Sequence, residues 1–283
     1  MLCPNPRCGS QIHPDKETCA TCGTFAGYPN VRAADQPDEV AALEARYRDE
    51  RSSAAAEGRL AMLDAFEERL TNSSSAVVNV DILFLHPFLA RPGALYSTYD
   101  YGVEAEFRMP AEPEHDRDRR EAGNRLFGPY AKKIRYAALS LDGVGLRSYG
   151  PFALRLRDVA VEVRASLLEE NSYDFVERHP KRGPFPLGFR CSWGNRRLLA
   201  VAKLGDALQP DASEAEVADL IIHSDGDRAT DRFIEVHVYG PFDARAIESV
   251  RGTTPRKGKA ERADVARVKE LLDKLGCSWV EDA

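Results

Sequence analysis

The chain has no long apolar run. Its longest, Val77 to Leu85, is interrupted by Asn79 and Asp81 and falls far short of the roughly 20 residues that cross a bilayer, so no membrane association is expected. Missing too are a P-loop, a Gly-x-Gly-x-x-Gly after a strand, a Gly-x-Ser-x-Gly and a His-Glu-x-x-His, which demotes the common nucleotide, hydrolase and metalloprotease chemistries. Basic residues are not in excess. With 39 Lys and Arg against 45 Asp and Glu, the formal charge of −6 argues against broad, non-specific nucleic-acid binding, which depends on clustered cations. No basic start followed by an apolar run precedes Cys3, so a secretory leader is not expected and a cytoplasmic, thiol-reducing setting is.

Against these absences stand six cysteines, four of them packed into the first 22 residues as Cys3-Pro4-Asn5-Pro6-Arg7-Cys8-Gly9 and Cys19-Ala20-Thr21-Cys22-Gly23. Two thiol pairs, each followed by glycine, suit a structural zinc ion held by Cys3, Cys8, Cys19 and Cys22. Each pair must curl its backbone around the metal, and a residue with positive φ after the second cysteine is cheap only for glycine. A disulfide framework would need an oxidising compartment. A redox Cys-x-x-Cys would open a helix after a strand and would have no second pair beside it. His13 could replace one thiolate, but four sulfurs already complete a tetrahedron and leave no open position for catalysis. The segment resembles the zinc-ribbon family, with a first knuckle two residues longer than Cys-x-x-Cys. That resemblance implies a module whose folding free energy comes from the metal, on the order of 10 kcal/mol.

After the ribbon, Gln36-Pro37-Asp38 is a helix-start signal, and no proline follows up to Ser75. One long helix is expected. Val40, Leu43 and Tyr47, then Leu63, Phe66 and Leu70, form two apolar stripes that fit packing in cis or a homodimer through residues 37–70. The division is therefore a zinc ribbon over 1–30, a helical linker over 31–75 and an α+β domain over 76–283. In the last, strands are expected at Val77 to Leu85, Ile134 to Leu141, Phe152 to Leu156, Val159 to Ala165, Ala218 to His223 and Arg232 to Tyr239. Helices are expected at Asp116 to Lys133, Asn195 to Leu208 and Arg262 to Leu275, with Gly276 as a left-handed cap and a terminal strand after it. Without a regular βαβ alternation, the fold class is α+β with a predominantly antiparallel or split sheet. Cys191 and Cys277 are isolated and expected to be buried thiols. Tyr96, Tyr99 and Tyr101 form an aromatic cluster, and His115 sits in a charged helix start.

The most pointed chemical signal is a repeat, Tyr149-Gly150-Pro151-Phe152 and Tyr239-Gly240-Pro241-Phe242. Before the second copy, Ile234-Glu235-Val236-His237-Val238 alternates, placing Glu235 and His237 on one face of a strand where they could line a cleft or face solvent. Together with Arg164-Ala165-Ser166 and Glu170-Asn171-Ser172, this order of pieces resembles the ADP-ribosyltransferase fold in its divergent bacterial toxin-type branches. The resemblance implies NAD as a substrate and a macromolecular acceptor. It assigns Glu235, His237, Ser166, Tyr149 and Arg135 to catalysis, and Arg147, Tyr149, Asn171 and Ser172 to NAD binding. In that chemistry the carboxylate stabilises an oxocarbenium-like state. Two readings follow: an NAD-using enzyme whose ribbon finds a target, or a catalytically silent interaction protein whose ribbon binds a protein or nucleic-acid partner and whose α+β domain is a scaffold.

Overall fold

A computed structural model describes residues 1–91, 93–97, 113–179, 183–209, 211–228 and 230–282, with the backbone alone at 113–116. Tyr99, Tyr101 and the side chain of His115 lie outside it. The fold is α+β, built on one eight-stranded sheet. Its strands are β1 (Ser75–Val80), β2 (Ile134–Ser140), β3 (Phe152–Leu156), β4 (Ala165–Leu168), β5 (Arg190–Ser192), β8 (Glu235–Tyr239), β9 (Ile247–Gly252) and β10 (Ser278–Glu281), in the order β10-β9-β3-β1-β2-β8-β4-β5. Every pairing is antiparallel except β9 with β10. A separate two-stranded ribbon pairs β6 (Ile222–His223) with β7 (Arg232–Phe233).

Register fixes which side chains share a face. His237 lies opposite Tyr136 on β2 and Ser166 on β4, and Glu235 lies opposite Ala138 and Leu168, so these six share one face. Val236 and Val238 point to the other face. There they join Leu139, Leu154, Leu167 and Val250 in the main core, beneath the helices Pro37–Ala56, Leu60–Ser73, Arg196–Leu204 and Lys259–Leu275. The second face has a smaller cluster of Phe127, Ile134 and Tyr239 with Tyr28, Tyr130 and Tyr136 around it.

Several sequence expectations need correction. The segment after Pro37 is two helices, Pro37–Ala56 and Leu60–Ser73, because Gly58 takes φ 73° and breaks the first. They fold back on each other. Tyr47 and Glu67 are 20 residues apart, roughly 30 Å along a continuous helix, yet the Tyr47 hydroxyl donates to the Glu67 carboxylate at 2.8 Å. Leu43, Leu63, Phe66 and Leu70 of the two stripes are buried in the chain's own core. The strand expected over Val77 to Leu85 stops at Val80, and Asp81 precedes the helix Ile82–Ala90. The alternating valines of Val159 to Ala165 are not a strand: Asp158–Val161 is a helical turn with Val159 exposed and Val161 buried, and β4 begins only at Ala165. Residues 218–221 belong to the helix Glu214–Ile221, set by a capping box between Ser213 and Glu216. Arg232 to Tyr239 is two strands, split at the buried Ile234. The helix expected to reach Lys133 ends at Phe127 and continues as a 3-10 turn through Gly128-Pro129, where proline withholds an amide.

Other expectations hold. Gly276 caps Lys259–Leu275 in the left-handed region at φ 66°, a terminal strand follows, and Cys191 and Cys277 are buried. Both repeat glycines take positive φ, and at Gly150 a Cβ would meet the Val80 backbone at 2.3 Å.

Candidate functional site

The N-terminal segment folds as two knuckles. Isolated bridges join Leu2 to Gln11 and Thr18 to Phe25, and the Cys3 amide donates to the Ser10 carbonyl as the Cys19 amide does to that of Thr24. Gly9 and Gly23 take φ 65° and 71°, so each knuckle turns at the glycine that follows its second cysteine. This brings Cys3 and Cys22 to a sulfur separation of 3.6 Å and Cys8 and Cys19 to 3.7 Å, with all four sulfurs within 4.8 Å of one another. A tetrahedron with metal–sulfur bonds of about 2.3 Å has edges of about 3.8 Å, so the set fits a four-coordinate ion. None of the cysteines is in a disulfide.

The thiols differ electrostatically. The Thr24 hydroxyl and amide draw the Cys22 thiol down to about 6, whereas burial pushes Cys3 up to about 12. Four thiolates cannot share so small a volume without a cation to offset their repulsion.

The ribbon is docked on the domain. Glu17 Oε1 accepts from the Tyr239 hydroxyl and from Lys133 Nζ, both at 2.7 Å, and the Tyr28 ring packs against that of Tyr239 at 5.2 Å. Burial pushes the Glu17 carboxyl up, but the Lys133 and Tyr239 hydrogen bonds outweigh it and leave Glu17 below its usual range. Arg32 donates to the carbonyls of Pro14 at 2.7 Å and Lys16 at 2.8 Å, tying the helix Pro29–Ala34 to the segment between the two knuckles. Asn30 from that helix reaches the sheet, donating to Ser166 Oγ at 3.1 Å and to the His237 carbonyl at 2.9 Å.

On the same face of the sheet, Glu235, His237 and Ser172 form a buried polar knot. His237 Nε2 is 2.8 Å from Glu235 Oε2 and 3.1 Å from Ser172 Oγ, and Glu235 also accepts from the Ser172 hydroxyl and, at 3.0 Å, its amide. Phe127 and Tyr136 pack their rings edge-on against the imidazole. A serine–histidine–carboxylate relay needs serine on one ring nitrogen and carboxylate on the other. Here both crowd Nε2. The arrangement satisfies three buried groups and forms no relay.

The remaining candidates scatter. Ser166 sits beside the knot through Asn30. Tyr149 is packed with Ala138, Leu146 and Phe233, and Arg228 lies 4.5 Å over its ring. Burial raises its hydroxyl above the ordinary tyrosine range, with Arg119 opposing and the Glu235 charge adding. Arg135 stands between two residues of the Glu235 face and so points to the opposite one, where it donates to the Tyr96 and Lys132 carbonyls. Arg147 pairs with Asp282 at 3.2 Å near the β10 edge. Asn171 caps the helix Ser172–Arg178 by accepting from the Tyr173 amide. Asn30, Glu17 and Tyr28, which join ribbon to sheet, escaped sequence reasoning because nothing local marks a residue whose partners lie more than 100 positions away.

Compared with known families, the sequence matches no family model. Compared with curated proteins, it matches none.

Proposed function

We propose that this chain is a zinc-ribbon interaction protein, in which the α+β domain is a scaffold that holds the ribbon in a fixed orientation for a protein partner. The observation that carries this reading is the tetracysteine set with tetrahedral spacing, on a module pinned to the sheet by Glu17, Tyr28 and Asn30. Zinc fits the donor set, because four thiolates leave it four-coordinate and closed, and its contribution is structural. The outer surface of the ribbon presents Met1, Leu2 and Phe25, each more than half exposed. Apolar groups of this kind on a chain of net negative charge suit a protein surface better than a phosphate backbone. The test is metal analysis with photo-crosslinking from position 25. The reading expects one zinc per chain and a crosslinked partner lost together with the metal in Cys19→Ser with Cys22→Ser. Zinc-free protein, or capture that ignores the double substitution, contradicts it.

A second reading, NAD-dependent ADP-ribosyl transfer, draws support from the gathering of Glu235, His237 and Ser172, with Tyr149 near enough to feel the Glu235 charge. It requires the helix Ser172–Arg178 to move, because Glu235 is only 7% exposed. Calorimetry with millimolar NAD separates the two readings: binding that Glu235→Gln abolishes favours the enzyme, and no heat favours the scaffold. Homodimerisation through residues 37–70 has little apolar surface to use, since Leu43, Leu63, Phe66 and Leu70 of the stripes are buried in cis and Tyr47 packs partly against the same core. Light scattering is expected to give a monomer mass.

A further inference from the structure

The helix Pro29–Ala34, the segment around Phe127 and Tyr130, and the sheet line a small cavity. It measures about 20 Å³ and is lined by Asn30, Tyr130, Ser166, Arg190 and His237 with apolar walls including Phe127. That is room for one water-sized molecule. Asn30, only 2% exposed, is central to it. Its amide nitrogen donates to the Arg164 carbonyl at 3.1 Å as well as to Ser166 and His237. Two of those partners are backbone carbonyls, which can only accept, so the amide cannot be turned the other way round. Its oxygen, Oδ1, is therefore committed to the other side of the amide, where it is buried with no partner among the described residues. A buried amide oxygen left bare is strongly disfavoured, and a donor placed in the cavity removes that cost.

The roof of this cavity is tied to the knuckles. Arg32, two residues after Asn30, holds the carbonyls of Pro14 and Lys16, while Tyr28 and Glu17 bind Tyr239 on β8. If the ribbon loses its fold, these ties on the roof go with it. We propose that the cavity is a binding site for one water-sized hydrogen-bond donor, held by Asn30 Oδ1 and kept closed by the metal-bound ribbon. The closure rests on the zinc reading above; the site does not.

Two measurements on the full-length protein test this. A crystal structure at a resolution that shows ordered water should reveal density within hydrogen-bond distance of Asn30 Oδ1. A dry cavity, or Oδ1 bonded instead to the Tyr130 hydroxyl or to Arg190, overturns the site. Hydrogen exchange at histidine Cε1, read by mass spectrometry with and without a chelator, tests the closure. Exchange at His237, 3% exposed, should accelerate several-fold on metal removal while the exposed His223 stays unchanged. An unchanged His237 overturns the closure. Metal content measured on the same samples separates the failures: untreated protein without zinc removes the zinc reading and the closure with it, and the density at Asn30 still decides the site.

Discussion

In the first 26 residues the buried hydrophobic side chains are Cys3, Ile12 and Cys19, two of them metal-ligand candidates; in the domain, leucines and valines from β1, β2, β3, β4, β8 and β9 fill a continuous core. One buried isoleucine contributes about 1.5–3 kcal/mol, too little to order two dozen residues that each lose about 1 kcal/mol or more of backbone entropy. On the proposed reading the ribbon is held by a metal at its four thiols, whereas the domain is held by buried area. What joins them is a small set of contacts: the Glu17 carboxylate on Tyr239 and Lys133, the Tyr28–Tyr239 ring pair, and the helix Pro29–Ala34, which Arg32 ties to the ribbon and Asn30 to the sheet. Two regions in contact can thus respond to opposite perturbations.

The largest expected effect is at the centre itself. Cys19→Ser with Cys22→Ser should release the metal and unfold residues 1–26, removing folding free energy on the order of 10 kcal/mol from the ribbon, while the domain keeps a cooperative melt; metal analysis and circular dichroism report the two halves. Next is the reverse experiment. Leu154→Ala, at a fully buried position on β3, should destabilise the domain by about 2–5 kcal/mol in urea unfolding and leave zinc stoichiometry in the native protein unchanged. Asn30→Ala strikes the joint. Removing the amide whose two hydrogens serve the Arg164 and His237 carbonyls and Ser166 Oγ should cost about 1–3 kcal/mol in the domain melt, with zinc retained.

The smallest effect is Glu17→Gln, in which a partly exposed carboxylate loses its charge against Lys133; about 0.5 kcal/mol is expected in the melt. Its pH dependence has a definite sign. Glu17 sits below the ordinary glutamate value of 4.5 in the folded chain, so its contribution is present above that value and fades as pH falls through the folded pKa. Lys133 is raised above 10.5 by the hydrogen bond to Glu17, so its share is present below 10.5 and is lost as pH rises further. A pH titration of ribbon docking, followed by exchange at the Tyr28 amide, should show a plateau between those limits and a flattened acid limb in Glu17→Gln.

The same division governed what could be read from the sequence. The ribbon was legible because metal chemistry imposes spacing, and Cys3, Cys8, Cys19 and Cys22 with Gly9 and Gly23 carry it locally. Strands β2 and β3 and the capped helix before Gly276 were legible from apolar pattern and a positive-φ cap. Val159 to Ala165 misled because alternation in a helical turn next to a strand mimics a longer strand, and the burial that distinguishes Val159 from Val161 is tertiary. Gly58 broke a helix that its neighbours favoured. For the candidate site, the alternation that set Glu235 beside His237 was readable, but that both would be covered was not: the cover comes from Phe127, Tyr136 and the helix that begins at Ser172. The same parity that paired them places Arg135 on the other face.

The proposed contrast between a region held by a metal and one held by its core is tested most directly by amide exchange of the full-length protein before and after chelation. The account predicts that residues 1–26 lose protection when the metal is removed, while β1, β2 and β8 keep theirs. A ribbon that stays protected without metal, or central strands that exchange in step with it, would contradict it.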